Sequence, residues 1–438
     1  DYTKIETIVE GGPASKSGQV KSGDRIIGVA QDGEKMIDVI GWPSSEIVGL
    51  IRGKRGTKIT VRLLATGASM SQARNVSLVR DVIQEEDAGV RSRTVELTRD
   101  GTKHVFGVLE IPSFYFDYRS RRAGAEYRSV SEDTAKALES LKAQKVEGIL
   151  IDLRNDPGGS LEEVARMLGQ VIKSGPVVQI RDGNGNVSVY EDTDGGEQLY
   201  AGPMAVLINL ASASASEIYS AAIQDYERGI IIGSTTTGKG TAQVQLDTLA
   251  HGQATLTQRK FYRVTGGSTQ NKGVIPDIKL VDIYNEEFGE RKSKNALKWD
   301  TIPTAPFKRA GSTQPYVAKL SQASAQRVLA DSQFKYLEAR TAINKKSADQ
   351  KKVVLDIDQR RAELMDLEKQ TLAVENQRRV ATGQVPYANW ESYQASIDAL
   401  VESRAKMKAH LRPALPEEET FVTEAANVLL DYAKLQGR

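Results

Sequence analysis

The chain has 438 residues, enough for about two to four domains with substantial cores. Its 59 basic and 57 acidic residues leave a net charge of +2, so there is no electrostatic case for nucleic acid or an anionic membrane surface. It contains no cysteine, which excludes disulfides and thiolate metal sites while remaining compatible with an oxidising compartment, and no apolar run approaches a membrane span.

In chain order, residues 1–80 read as short strands around one helix. Trp42-Pro-Ser-Ser-Glu-Ile-Val-Gly-Leu-Ile51 predicts a helix with Pro43 at its start and Ile47, Leu50 and Ile51 as its apolar stripe. Lys58-Ile-Thr-Val-Arg-Leu63 alternates as a strand. From Asp81 to about Ile283 strands and helices alternate, which predicts an α/β core. Within it Val130 to Leu141 is an amphipathic helix, and Gly148-Ile-Leu-Ile-Asp-Leu-Arg154 is a buried strand. Asp182-Gly-Asn-Gly-Asn186 hints at a calcium loop, but Val187 stands where a glycine is required and Thr193 at position twelve; a hairpin turn is expected. Residues 285–312 are polar and linker-like. From 313 to 438 glycine nearly vanishes and charge rises, and Val353, Ile357, Leu364 and Leu367 recur at helical spacing. Arg412-Pro-Ala-Leu-Pro-Glu-Glu418 breaks the helices before a last one, Phe421 to Leu435. The charge runs there read as solvated helix faces or as a docking surface for protein.

The chemistry concentrates in three segments. Ala211-Ser-Ala-Ser-Ala-Ser-Glu217 follows the apolar run Val206-Leu-Ile-Asn209 and opens a helix, so Ser214 falls at a strand-to-helix turn with unsatisfied backbone N–H groups. Lys239 follows within Thr237-Gly-Lys-Gly-Thr241, its flanking glycines allowing a tight bend and close approach of a substrate. A hydroxyl needs a base to become a nucleophile, and a lysine serves as that base only in its neutral form, which burial favours. Gln243, four residues on, returns to the face of Lys239 and can hold its amine. Asn155-Asp-Pro-Gly-Gly-Ser160 is a third loop, placing the N–H groups of Gly158 and Gly159 at another strand-to-helix junction.

Competing readings exist for each. Ser214-x-x-Glu217 is also a capping box. Gly233-Ser-Thr-Thr-Thr-Gly-Lys-Gly240 is close to a phosphate-cradling loop, although Gly240 stands where a magnesium-binding hydroxyl belongs and Thr241 to Leu246 alternates as a strand instead of a helix. Pro157-Gly158-Gly159 is also an ordinary turn. A Ser–His–Asp triad would have to draw on His104, His251 or His410, none of which lies in a recognisable motif.

Taken together, Asp152-Leu-Arg-Asn-Asp-Pro-Gly-Gly159, Ser212-Ala-Ser-Ala-Ser-Glu-Ile218, Gly238-Lys-Gly-Thr-Ala-Gln243 and Gly273-Val-Ile-Pro-Asp277 resemble, in order, the signature blocks of the carboxyl-terminal processing proteases. Phe261-Tyr-Arg-Val-Thr-Gly-Gly-Ser-Thr-Gln270 and Asn295-Ala-Leu-Lys-Trp-Asp300 are similar to the long bacterial branch, the periplasmic tail-specific proteases. Val9 to Ala14 with Ser17 to Ile27 is similar to the core of a PDZ domain, a module that adds a peptide to a sheet edge.

The resemblance implies a multidomain α/β protein. Residues 1–80 would be a PDZ domain whose carboxylate-binding loop precedes residue 1. Residues 81–284 would be a crotonase/ClpP-like serine protease core, 285–312 a linker and 313–438 an all-helical domain. It implies Ser214 as nucleophile, Lys239 as general base, Gln243 as the residue orienting the lysine, and Ala215 and Gly158 as oxyanion-hole donors. Pro157 departs from the branch, which commonly has a further glycine there. Val48 and Ile51 would lie near the PDZ groove, with ordinary helix packing as the other account. The implied substrates are proteins or peptides with apolar or unstructured C-termini, a protein adaptor is the further partner the resemblance allows, and the implied place is the periplasm, with no metal or cofactor. A tail-binding PDZ scaffold without catalysis and a nucleotide hydrolase using Gly233 to Gly240 are the readings from other classes.

Overall fold

The computed structural model describes every residue except 1, 10, 82–88, 123, 125–126, 192–197, 247–253, 285–288, 353, 406, 408–411, 413 and 438. Contacts divide the chain into two compact units, residues 1–88 with 394–413 and residues 89–393 with 414–438.

The first unit is built on an antiparallel sheet of β1 (Thr3–Lys4), β2 (Arg25–Gln31), β3 (Ile37–Asp38), β4 (Lys58–Leu64) and β5 (Arg74–Val79), in the order β1-β2-β4-β5 with β3 paired to β2. Two helices accompany it, α1 (Pro13–Ser17) and α2 (Ser44–Ile51). Alternation along β4 sends Ile59, Val61 and Leu63 to one face, where they meet Val29 of β2 and Ile47 of α2 in a single core. The stripe expected on α2 is the stripe observed, since Ile47 is fully buried and Leu50 and Ile51 pack against the same core.

The second unit centres on a six-stranded sheet. Its strands are β6 (Arg91–Arg99), β7 (Thr102–Glu110), β8 (Ile149–Asp152), β11 (Met204–Ile208), β12 (Ile230–Gly233) and β15 (Ile278–Lys279), ordered β15-β12-β11-β8-β7-β6. All neighbours run parallel except β6 and β7, which form a hairpin. A smaller antiparallel sheet has the order β10-β9-β14-β13, from β9 (Pro176–Asp182), β10 (Val187–Glu191), β13 (Thr241–Leu246) and β14 (Ala254–Tyr262). The β9–β10 connection is the hairpin expected at Asp182 to Asn186, closed by Asp182 accepting from the amides of Asn184 and Asn186.

The short central strands are apolar except for Asp152 at the end of β8, because both faces of their sheet are covered. Ile149, Ile151, Val206, Ile208 and Ile231 point to one side, against α4 (Val130–Ala143), α5 (Leu161–Gly169) and α6 (Ala215–Asp225). Their alternates Leu150, Ala205, Leu207, Ile230 and Ile232 point to the other. That second face is closed by α7 (Gln314–Ala330), α8 (Ser332–Ala348) and α11 (Pro416–Leu435), through Leu320, Phe334, Leu337, Phe421, Val428 and Leu429. Each such side chain contributes about 1.5–3 kcal/mol on burial, so these C-terminal helices are part of the core of this unit. Charges fix the seating of α11: Arg154 donates to the carbonyl of Glu418, and Arg327 pairs with Glu424 and Asp431.

Two segments show more than their pattern does. The polar stretch after residue 285 is not free along its described length: Trp299 donates its indole N–H to Ser268, Asp300 pairs with Arg181 and Lys260, and Ala305 is buried. A few anchors suffice to dock a polar segment, and composition hides them. The stripe of Ile357, Leu364 and Leu367 does lie on one helix, α9 (Ile357–Ala381), but Ile357 and Leu364 are exposed while the buried positions are Thr371 and Glu375; Val353 lies outside the described residues. The remaining helices are α3 (Tyr118–Arg122) and α10 (Trp390–Ala405). We propose the four sequence segments as modules of the chain; the contacts group them along different lines.

Candidate active site

Three of the singled-out segments leave the carboxyl ends of neighbouring parallel strands: residues 153–160 after β8, 209–214 after β11 and 234–240 after β12. That edge of an open α/β sheet is where ligand crevices form. Side-chain bonds join the loops to each other. The Asn209 amide donates to Asn155 Oδ1 at 2.8 Å and its own Oδ1 accepts the Asn155 N–H at 3.0 Å. The Ser212 hydroxyl donates to the carbonyl of Leu153, and the Thr237 amide donates to the carbonyl of Ser212.

Ser214 precedes the first turn of α6 with φ 56° and ψ −110°. This region is costly for a residue with a Cβ, by about 1–3 kcal/mol, and it persists only where the surroundings enforce it. Its hydroxyl makes no hydrogen bond with any described residue. The capping reading is therefore half right: the Glu217 carboxylate accepts the Ser214 N–H at 2.9 Å, but the serine side chain does not cap the helix.

Glu217 does more than close that turn. It is fully buried, and Oε2 also accepts the N–H of Lys239 at 2.9 Å, while Oε1 accepts the N–H of Gly238 at 2.7 Å and the Thr236 hydroxyl at 2.6 Å. One carboxylate oxygen thus carries the backbones of both Ser214 and Lys239. Burial pushes this carboxyl up from its ordinary value, and the four donors pull it back. The same bonds dispose of the phosphate-loop reading, because the amides that would cradle a phosphate already hold a carboxylate.

The lysine loop is pinned from its other side. Gln270 is buried, its Oε1 accepts the Gly240 N–H at 2.8 Å, and its amide donates to Glu290. The Lys239 side chain is half-buried and its amine bonds to no described residue. Gln243 is exposed on β13 beside a bulge, and its amide lies 3.5 Å from Thr257 Oγ1 instead of on Lys239.

Among the expected oxyanion donors, the N–H of Ala215 has no partner among the described residues. The N–H of Gly158 is taken: it donates to Asp156 Oδ1 at 2.7 Å. Gly158 nevertheless touches the nucleophile turn, since a Cβ there would stand 2.9 Å from Ser214 Cβ and 2.9 Å from Ala215 N. Its φ of 103° is a second reason for glycine. The amide of Gly159, one residue on, donates to no described residue, and this glycine is exposed.

The remaining candidates lie elsewhere. His104 pairs with Glu147 at 2.8 Å on β7, and His251 and His410 lie outside the described residues. Val48, on α2, is 39% exposed and Ile51 is half-buried against the core of the first unit. Sequence reasoning treated Glu217 only as a cap and passed over Gln270 and Asp156; the S-x-x-E pattern was the one available signal for the first.

The chain is similar to known proteins over most of its described length. Residues 105–280 match the model of peptidase family S41, and residues 283–434 match the C-terminal domain of tail specific protease. The core of this chain belongs to peptidase family S41. The chain is similar to the tail-specific protease of Haemophilus influenzae, 39% identical over 376 residues that cover 83% of this chain and 51% of that protein. It is also similar to the carboxy-terminal processing protease CtpA of Bacillus subtilis, 30% identical over 63% of this chain and 52% of that one. It thus spans about half the length of these curated relatives. A PDZ domain of the carboxy-terminal protease from Vibrio cholerae is 44% identical over 18% of this chain and 82% of that structure, with a TM-score of 0.17. Residues 105–280 take in β8, β11, β12, β15 and most of β7, and all three loops of the site fall inside that range. No helix of the described residues is long and apolar enough to cross a membrane.

Proposed function

We propose that this chain is a periplasmic serine endopeptidase that takes C-terminal or unstructured tails of proteins through its PDZ part and cleaves them with Ser214 and Lys239. The neutral amine of Lys239 takes the proton of Ser214 Oγ as that oxygen bonds to the scissile carbonyl carbon. The carbonyl electron pair moves onto its oxygen, which the N–H group of Ala215 receives together with that of Gly158 once the latter leaves Asp156. Collapse breaks the C–N bond, and the ammonium of Lys239 returns the proton to the departing amine. Water then attacks the acyl-enzyme with Lys239 again as base, releasing the acid and restoring Ser214. Gln243 orients the amine once its long contact with Thr257 opens. Val48 and Ile51 serve the tail-binding groove, whose hold on a substrate raises its local concentration.

The observation that carries this reading is the Glu217 carboxylate, one oxygen of which accepts from both Ser214 and Lys239. Incubation of the purified protein with an unfolded protein, read on a gel, tests it. Cleavage is expected from the wild type and none from Ser214→Ala or Lys239→Ala with their circular dichroism unchanged. Full activity in either variant would remove the dyad, and tail binding without cleavage by the wild type would make the chain a scaffold.

A further inference from the structure

We propose that Asp156 gates the oxyanion hole: turnover requires its carboxyl to carry a proton, and its ionisation both retains the Gly158 amide and sets a negative charge against the transition state. This rests on the peptidase reading above and deepens it.

Asp156 is fully buried, and its backbone carbonyl accepts the Ala213 N–H and the Ser216 hydroxyl, which holds it against the nucleophile turn. Its Oδ1 accepts the Gly158 N–H, while Oδ2 is buried without any hydrogen-bond partner. Gly158 in turn lies against Ser214 and Ala215. The carboxyl therefore holds, through one hydrogen bond, the amide of a glycine packed against the nucleophile turn. An ionised Asp156 binds that amide more strongly than a neutral one. A negative charge about 5–6 Å from a forming oxyanion, at an effective dielectric near 20, slows a reaction by about a hundredfold.

Among the described residues nothing nearby offsets that charge. Its own loop carries Asp152 and Arg154, which pair with each other at 2.7 Å. Residues 209–216 carry no ionisable side chain, and Glu217 beyond them is closed by its four donors. On α5, Glu162 pairs with Arg121 and Arg166, and Glu163 accepts the Ser131 N–H. Tyr115, on the segment bonded to Gly158 through Phe114, gives its hydroxyl to Asp133. The amine of Lys239 on the third loop bonds to no described residue. Burial pushes the Asp156 carboxyl up to about 7, so its proton is exchanged within the ordinary working range. It is neutral below that value and charged above it.

The test is the pH dependence of kcat from about pH 5 to 9.5, with Ser214→Ala as blank, for wild type and Asp156→Asn. Asparagine keeps the acceptor for Gly158 and cannot ionise. The wild type is expected to reach a maximum and decline above about pH 7, whereas Asp156→Asn keeps rising to a plateau. The ratio of variant to wild-type kcat should then grow about tenfold to a hundredfold between pH 6 and 9. Parallel profiles, or a decline that persists in Asp156→Asn, overturn the inference and leave the peptidase standing. No wild-type cleavage above the blank overturns the peptidase reading and this inference with it. Should the variant not fold, the wild type alone decides: a peptide aldehyde, whose adduct on Ser214 puts an oxyanion in the hole, should bind more weakly above pH 7 than below, and the matching peptide amide should not. Equal pH dependence for both ligands overturns the proposal.

Discussion

Two buried carboxyl groups flank the chemistry of this chain, and the fold treats them differently. Glu217 sits in a strand-to-helix turn with four donors on its two oxygens. Asp156, equally buried in the neighbouring turn, has one donor and an orphaned Oδ2. Burial pushes both carboxyls up, Asp156 to about 7. The lesson is that burial alone does not make a carboxyl adjustable. A saturated one acts as a fixed brace, and an undersaturated one can change its charge at modest cost.

The comparison matters only if catalysis occurs between these two groups. Removal of the nucleophile or base, Ser214→Ala or Lys239→Ala, should therefore lower kcat by about 10⁴-fold or more with the melting temperature unchanged. Cleavage persisting in either would detach both carboxyls from function. The next largest effect is expected at the brace. Glu217→Ala strands one buried amide, two part-buried amides and a buried hydroxyl, and urea unfolding should show a loss of about 4 kcal/mol, with cleavage falling as the two loops part. A small loss would mean that water replaces the carboxylate easily, and the brace would be no brace.

Asp156→Asn sharpens the contrast through stability. A carboxyl raised from 3.8 to about 7 in the folded state binds its proton more tightly there than in the unfolded chain. Its contribution is thus fully present below about pH 4 and is lost as pH climbs through about 7. Relative to Asp156→Asn, the wild type should lose up to about 4 kcal/mol across that window, measured by denaturant unfolding at stepped pH. Identical pH dependence in the two proteins would erase the distinction between the carboxyls. The smallest effect is expected outside the pair: Gln243→Ala should reduce kcat about tenfold and leave the urea midpoint alone, since Gln243 is exposed and holds only a 3.5 Å contact.

Much of the architecture was legible from local pattern. The pattern at 148–154 and the apolar run at 206–209 announced buried strands, and Ile47, Leu50 and Ile51 marked the buried side of α2. What escaped was mostly long-range. Glu217 reads as a helix cap because its serine partner is three residues away, whereas its tie to Lys239 spans 22 residues. Trp299 and Asp300 look like linker because their partners Ser268, Arg181 and Lys260 are far off in the chain. The helical spacing on α9 was real, but spacing does not say whether a face is covered, and Ile357 and Leu364 are exposed.

The sequence by itself determined which residues can do chemistry and where the chain must turn: a hydroxyl and an amine on glycine-lined loops, each following a short apolar strand. Those are properties of residue type and of neighbours a few positions apart. Only the tertiary structure decided that three loops meet at one edge of the sheet, that one carboxylate grips two of them, and that a second carboxyl holds the Gly158 amide. Hydrogen-bond saturation and desolvation depend on groups brought together from distant parts of the chain, so no local pattern can encode them.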